Sequence, residues 1–167
     1  MTLKEYVLHQ LREMKREMLE SIDGMDAAAL AFDDSASHSP AAWVVQHACA
    51  NVDYFLHKGL TGRFAIDHEP RYLSRPLIGP EPGDEYPSPE ELVDRWRSVC
   101  EAAIGALDNA TEARLQEPTR VVQPEEALVE SCLRVINHQN AHMRQIWCLR
   151  GLQGEKNKYP HQQTWLA

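Results

Sequence analysis

Two histidines near the end of the chain, His138 and His142, have the spacing of a metal-binding pair. On an α-helix, residues i and i+4 share one face, with Cβ atoms roughly 6 Å apart, so both imidazoles can point at one ion. A third histidine, His47, lies far upstream on another helical segment. If that helix packs beside the pair, three imidazoles would leave an open position that can polarise water or accept a substrate atom.

The spacing of the pair is weak evidence when taken alone. Eight histidines in 167 residues produce about 0.4 such pairs per chain by chance. Both residues lie near the apolar face of a strongly helical segment, where a buried neutral imidazole needs partners for both ring nitrogens. His47 lies at the edge of the apolar face of its own helix, which suits a ligand at a cleft or a partly exposed structural histidine. The pattern leaves both interpretations open.

Other metal and catalytic signatures are absent from the sequence. The residues between the paired histidines are Gln139, Asn140 and Ala141, so the H-E-x-x-H arrangement of zinc proteases does not occur. No carboxylate occupies the matching face of either helix, whereas a di-iron bundle needs glutamates from several helices. No nucleophile elbow, P-loop or dinucleotide fingerprint is present either.

The formal net charge of −8 limits the partners that the chain can bind. Nucleic-acid binding needs a basic stripe, and an anionic membrane surface repels an acidic protein. The N-terminal segment is charged and amphipathic, unlike a signal peptide, and no stretch approaches the ~18 apolar residues of a membrane span. We therefore expect a small-molecule substrate, and neither nucleic acid nor membrane as a partner.

The four cysteines form no C-x-x-C pair, and each falls inside a helical pattern. We predict free thiols that act as small apolar core residues, in a reducing, cytoplasmic compartment. The other five histidines fall on a helix surface or in loops and are predicted to be solvated, although His57 could line the mouth of a cleft. The cysteines are Cys49, Cys100, Cys132 and Cys148, and these histidines are His9, His38, His57, His68 and His161.

Four long segments with helical periodicity must position these residues, and no segment alternates as a strand would. The second opens with Ser39 as predicted N-cap and Pro40 in the first turn, and the third opens with a capping box at Ser88. The first ends near Gly24 and the fourth near Gly151, a predicted C-cap. The predicted bounds are about 2–23, 39–59, 88 onwards and 124–151, and the predicted buried stripe of the third helix is Leu92, Trp96, Val99, Ala103 and Leu107.

Nearly thirty residues connect the second and third helices. A connection of that length is uncommon unless it crosses a bundle or covers a site, so we expect one all-α domain over 1–167, a four-helix bundle with a long crossover. The crossover should pack on the bundle, and the tail KNKYPHQQTWLA should dock on the bundle or on a partner subunit. The apolar residues behind these expectations are Phe64, Ile66, Tyr72, Leu73, Leu77 and Ile78 in the crossover, and Tyr159 and Trp165 in the tail.

These features resemble the DinB-like (damage-inducible) superfamily of four-helix bundles. The resemblance rests on SPAAWVVQHACANVDYF, on HQNAHMRQI and on the long link between the second and third helices. It implies an up-down-down-up order of helices and one divalent metal ion, zinc or nickel, bound by His47, His138 and His142. Homodimers are common in the superfamily, so the resemblance also implies a homodimer. Some relatives are thiol-dependent transferases or isomerases, and many have no assigned activity.

Our leading hypothesis is a metal-dependent enzyme that activates a low-molecular-weight thiol or water for transfer or hydrolysis. Asn51, Tyr54 and Gln145 flank the histidines on the same faces, where they could hold ligands or substrate by hydrogen bonds or make ordinary polar contacts inside the bundle. No residue beyond these ligands is predicted to be catalytic. The alternative is a non-enzymatic stress-response or binding module with a metal site.

Overall fold

The computed structural model describes residues 1–33, 39–73, 79–81, 83–119, 121 and 126–155. Within these ranges every regular element is a helix, and no strand is present. The α-helices are α1 (Leu3–Ile22), α2 (Ala27–Leu30), α3 (Ala41–Val52), α4 (Lys58–Thr61), α5 (Pro89–Asn109), α6 (Glu112–Gln116) and α7 (Leu128–Leu152), with a π-helical turn at Asp53–His57 and a 3-10 turn at Pro70–Tyr72.

The first helix, α1, has the bounds that its apolar periodicity predicts. Thr2 accepts a hydrogen bond from the Glu5 backbone N–H, and the Glu5 side chain accepts one from the Thr2 N–H, which completes a capping box. The chain leaves the helix through Gly24, whose φ of 70° lies in the left-handed region that glycine adopts without strain. The predicted ending near Gly24 is confirmed.

The second predicted helix differs from the prediction at both ends. The N-cap is Pro40 and makes no side-chain hydrogen bond, so the prediction of Ser39 as the cap is wrong. All twelve residues of α3 are buried, so packing on every side stabilises this helix without a polar cap. The α-helical bonding then changes to the π-helical turn at Asp53 and resumes as α4, which ends at Thr61, two residues beyond the predicted Gly59.

The third helix, α5, confirms its prediction closely. Ser88 and Glu91 form the predicted reciprocal capping box, with Pro89 at the first helical position. All five residues of the predicted stripe are buried. The side chain of Trp96 also donates a hydrogen bond of 3.0 Å to the Lys15 carbonyl oxygen on α1.

The fourth helix, α7, begins later and ends later than predicted. Ala127 is the N-cap, so Glu126 precedes the helix, while the predicted start at 124–125 lies outside the described residues. The prediction of Gly151 as C-cap is wrong, because Gln153 N–H still bonds to Leu149 O at 3.1 Å and continues the helical pattern. Gly154 takes the left-handed conformation instead, with φ of 89°.

The four long helices share one hydrophobic core. Both α1 and α3 pack against α5 and α7. The start of α1 meets the end of α5, where Lys4 Nζ donates to the Asp108 carbonyl oxygen at 2.6 Å. The ends of α1 and α7 meet where Arg150 Nη1 donates to the Ser21 carbonyl oxygen at 3.0 Å. None of the described helices is both long and apolar enough to cross a membrane.

The cysteines and the crossover follow their predictions with two exceptions. All four thiols are free, and three are buried, but Cys148 is exposed because Ile146 and Leu149 take the core positions of that turn. In the crossover Tyr72 is 1% exposed, whereas Phe64 is 36% exposed. Ile66 and Leu73 pack against the core as predicted, while 74–78 and the tail from 156 lie outside the described residues.

Candidate metal centre

The three histidines singled out by the sequence meet between α3 and α7. The Nε2 atoms of His47 and His138 are 3.3 Å apart, and those of His138 and His142 are 3.0 Å apart. One nitrogen from each ring lies within 4.8 Å of the other two. Zinc–nitrogen bonds of about 2.0–2.1 Å at a tetrahedral angle separate two ligand nitrogens by roughly 3.3 Å, so this spacing fits a single ion.

His47 is the candidate ligand whose orientation is most tightly defined. Its side chain is buried, and its Nδ1 lies 2.9 Å from the carbonyl oxygen of Tyr72. Because a carbonyl oxygen can only accept, Nδ1 carries the proton and the lone pair of Nε2 faces the other two histidines. Trp43, one helical turn earlier, stacks on the ring with centroids 5.1 Å apart and planes inclined by 19°.

Gln145 and Asn51 contact the histidines, as the sequence suggested. Gln145 Oε1 lies 3.4 Å from His142 Nδ1, so that nitrogen donates and Nε2 of His142 again faces the centre. The Asn51 amide nitrogen lies 2.9 Å from the His47 carbonyl oxygen and 3.0 Å from His47 Nε2. A metal ion on that nitrogen would replace the second of these Asn51 contacts.

Tyr54 makes different contacts from those the sequence suggested. Its ring contacts Phe55 and Phe64, with centroids 5.0 Å and 6.1 Å away, and Lys58 Nζ lies 5.1 Å from its centroid. Among the described residues, none of its hydrogen bonds or ring contacts goes to a histidine of the centre. The π-helical turn begins one residue before Tyr54, so the regular helical spacing behind the prediction ends there.

The electrostatics of the centre favour neutral imidazoles. Burial lowers the pKa of His47 and His138 lowers it further, which together outweigh the opposing effect of the Tyr72 carbonyl. Burial, with His138 and His47 nearby, lowers the pKa of His142 to about 4. Neutral rings keep their lone pairs available to a cation at neutral pH. Exposure rises from buried His47 through His142 to His138, so the centre opens towards solvent beside His138.

Sequence reasoning missed the residues that hold His47 in place. Tyr72 was expected only to pack, yet its backbone carbonyl fixes the His47 tautomer. Gln46 Nε2 donates to Tyr72 Oη at 2.7 Å and so ties the crossover to α3 beside the ligand. Neither contact leaves a sequence signal, because a backbone carbonyl is present at every residue and the Gln46–Tyr72 contact joins side chains 26 residues apart. Trp43 had one usable signal, its position four residues before His47.

Two histidines predicted to be solvated are instead largely shielded from solvent beside an unexpected carboxylate. Asp53 is completely buried, and its Oδ2 accepts a hydrogen bond of 2.8 Å from His68, whose side chain is 2% exposed. His57, with a 12% exposed side chain, has Nδ1 3.3 Å from Asp53 Oδ1, without the alignment of a hydrogen bond. His9 is exposed as predicted, and His38 and His161 lie outside the described residues.

A family model of the DinB superfamily matches residues 10–146, well over half of the chain. The chain belongs to the DinB superfamily. The resemblance stated from the two histidine segments and the long crossover is therefore confirmed. A comparison with curated proteins finds no match.

Two solved structures are similar to this DinB superfamily member along nearly its whole length. A DinB-like protein from Bacillus cereus ATCC 10987 has 20% identity and a TM-score of 0.70, covering 90% of this chain and 92% of its own. A conserved protein from Enterococcus faecalis has 17% identity and a TM-score of 0.65, covering 91% of this chain and 97% of its own. At these identities the similarity supports the helical fold alone.

Proposed function

We propose that this protein is a metal-dependent enzyme in which His47, His138 and His142 bind one divalent ion, zinc or nickel. One observation carries the proposal, namely that the Nε2 atoms of the three rings converge while the Nδ1 atoms of His47 and His142 are engaged elsewhere. A proton on His138 Nε2 can be shared with only one of the two facing nitrogens at a time, whereas a divalent cation can be bound by all three lone pairs at once. Membership of the DinB superfamily supports the same site.

The ligand set points to an open, catalytic site. Structural zinc sites are usually closed by four protein ligands, and within the described residues the group that could hold an ion contains three histidines only. Three neutral ligands leave the full charge of a divalent ion uncompensated. An ion bound there would lower the pKa of a thiol or water at the open position.

The surroundings favour a thiol over water as the group to be activated. Hydrolysis needs a general base within hydrogen-bond reach, and among the described residues the group contains no carboxylate. A low-molecular-weight thiol needs only to lose its proton to solvent once its pKa has fallen. Its sulfur then forms a bond to an electrophilic carbon, and the leaving group departs with the pair of electrons from the broken bond.

For the fold we propose a single domain over 1–167, a four-helix bundle in up-down-down-up order. Three contacts support it: the start of α1 meets the end of α5, the ends of α1 and α7 meet, and α3 runs opposite to α7. The last direction follows because Phe55, after His47, stacks on Arg134, before His138. Two parallel neighbours, α3 and α5, then need the long crossover between them.

The remaining proposals concern partners and location. We expect the enzyme to act on a small-molecule substrate as a homodimer, as the resemblance to the DinB-like superfamily implies. The net charge of −8 supports the expectation that neither nucleic acid nor a membrane is a partner. The four free cysteines support a reducing compartment such as the cytoplasm. Sedimentation velocity tests the dimer directly, because a single species with the mass of one chain would refute it.

The experiment that tests the site is metal analysis of protein purified without a histidine tag. We expect about one divalent ion per chain in the wild type and none in His142→Ala. His9→Ala is the matched control, because His9 is an exposed histidine on α1 and its removal should leave the metal content unchanged. Metal retained by His142→Ala would refute the three-histidine site.

The enzymatic part of the proposal needs its own assay. Wild type and His142→Ala are incubated with a panel of low-molecular-weight thiols and carbon electrophiles, and loss of free thiol is followed. We expect turnover by the metal-loaded wild type only. Full metal occupancy without turnover for any pair in the panel would count against the transferase and favour a binding module with a metal site.

A further inference from the structure

The buried carboxylate of Asp53 organises the first part of the crossover. It accepts hydrogen bonds from the backbone N–H groups of Ala65 at 2.9 Å and Ile66 at 3.1 Å, and from His68 Nε2 at 2.8 Å. Burial alone raises the pKa of Asp53, but these hydrogen bonds outweigh burial and hold the pKa below its ordinary value. The side chain is therefore an anion surrounded by donors.

A second contact fixes the same segment from α5. Arg95 Nη2 donates to the carbonyl oxygen of Asp67 at 2.8 Å. Residues 65–68 are thus held by a carboxylate from the end of α3 and a guanidinium from α5. Backbone groups held on two sides by charged side chains, of which Asp53 is fully buried, have little freedom to move.

Only three residues separate His68 from Tyr72, and they form a stiff connection. Glu69 O accepts from Tyr72 N–H at 3.1 Å in a single 3-10 turn, and Pro70 fixes one of the backbone angles in that turn. A displacement at His68 would therefore be transmitted to the Tyr72 carbonyl, the group that accepts the Nδ1 proton of His47.

The side chain of Tyr72 makes hydrogen bonds of its own, and these position the ring more directly than they position the backbone carbonyl. Its Oη accepts from Gln46 at 2.7 Å and from Arg71 at 3.0 Å. The carbonyl direction depends instead on the backbone that arrives through the 3-10 turn. Asp53 and His47 lie on one continuous helical segment, so the carboxylate, residues 65–68, the turn and the ligand form a closed loop of contacts.

We propose that Asp53 is a positioning residue for the metal centre, which holds residues 65–68 so that the Tyr72 carbonyl keeps His47 in the Nδ1–H tautomer. This inference rests on the proposed metal site. It assigns Asp53 no contact with metal or substrate. It predicts that neutralising Asp53 disturbs a ligand six residues away through the crossover.

The test compares Asp53→Asn with a control of matched stability. Asparagine keeps the shape of the side chain but turns an NH2 group towards backbone or His68 donors. Leu107→Ala is the control, because Leu107 is a fully buried residue near the end of α5, whose neighbours there include the start of α1. Zinc affinity is measured by competition with a chromophoric chelator, and the His47 tautomer by nitrogen-15 chemical shifts of the metal-free protein at constant pH.

In Asp53→Asn we expect zinc affinity to fall by about tenfold, the lower end of the effect of losing the direct hydrogen-bond partner of a histidine ligand, because Asp53 acts on that partner through the crossover. We also expect metal-free Asp53→Asn to lose the single Nδ1–H tautomer of His47, while Leu107→Ala keeps both wild-type properties. A wild-type tautomer in Asp53→Asn would overturn the inference. If Asp53→Asn does not fold, His68→Ala takes its place with the same expected and contradicting results.

The two proposals fail in different ways. A wild type that binds neither zinc nor nickel refutes the metal site, and the tautomer comparison still decides whether Asp53 positions His47. A wild type that binds zinc, together with an Asp53→Asn variant that has the wild-type tautomer, leaves the site intact and refutes only the role of Asp53.

Discussion

Gln139, between the paired histidines on α7, provides the sharpest stability prediction. Its side chain is completely buried, and within the described part of the chain neither its amide nitrogen nor its amide oxygen has a hydrogen-bond partner. A buried polar group without a partner costs about 1–3 kcal/mol, because its hydrogen bonds to water are lost on folding. Gln139→Met keeps the unbranched shape and removes both polar atoms, so it should stabilise the fold.

The expected gain is about 2 kcal/mol in the free energy of unfolding, the middle of the range for an unsatisfied group. For a chain of this length that corresponds to a rise in Tm of roughly 4–8 °C. The assay is urea unfolding followed by circular dichroism. The m-value should stay unchanged, because the surface exposed on unfolding is the same in both proteins.

Gln46→Met is the matched control for this substitution. Gln46 is also buried on a core helix, but its amide nitrogen donates to Tyr72 Oη at 2.7 Å. The same chemical change should therefore destabilise the fold by about 1 kcal/mol. A Gln139→Met variant with equal or lower stability than the wild type would refute the reasoning, since the amide would then have partners such as a buried water.

Three further predictions concern other parts of the molecule. Arg150→Met should lower the free energy of unfolding by about 3 kcal/mol, because the buried Ser21 carbonyl and the part-buried Asp23 carbonyl at the end of α1 lose a charged donor. Exposed Arg144→Met should change it by less than about 0.5 kcal/mol in the same urea titration. The lowered pKa of Asp53 adds stability that is complete above its unfolded pKa of about 4 and is lost as pH falls through the lower folded value. In that pH window the free energy of unfolding of Asp53→Asn, measured by urea titration, should therefore change less with pH than that of the wild type. Zinc at about 100 times its Kd should stabilise the wild type by about 2.7 kcal/mol and leave His142→Ala unchanged in thermal melts.

The sequence predicted those features that depend on local patterns. The capping box at Ser88 and the periodicity of α1 concern neighbours within one or two turns, so their bounds agree with the structure to within a residue or two. The His138 and His142 pair is local in the same sense. The π-helical turn at Asp53–His57 could not be predicted from the sequence. Its backbone hydrogen bonds span five residues instead of four, and this change in bonding has no residue type of its own.

The features that escaped prediction depend on contacts between distant segments. His68 falls in a loop by sequence, and only the folded chain places it on a buried carboxylate fifteen residues earlier. The contact of the Tyr72 carbonyl with His47 could not be predicted for the further reason that the carbonyl belongs to the backbone, which every residue shares. Cys148 has the apolar character of a core residue, but its face of α7 points away from the core. Tertiary packing, rather than residue type, decides each of these cases.

The proposed metal centre combines one rigid histidine with two more accessible ones, and this difference has a physical consequence. His47 is buried, stacked on Trp43 and fixed by the Tyr72 carbonyl, so its lone pair is aimed before any ion binds. His138 is the most exposed of the three and lies on the open side. An ion or a substrate atom bound at the proposed site would therefore enter past His138, while His47 fixes the inner side of the site. Preorganisation at the buried ligand lowers the entropy cost of binding, and exposure at the outer ligand leaves room for the open coordination position that thiol activation requires.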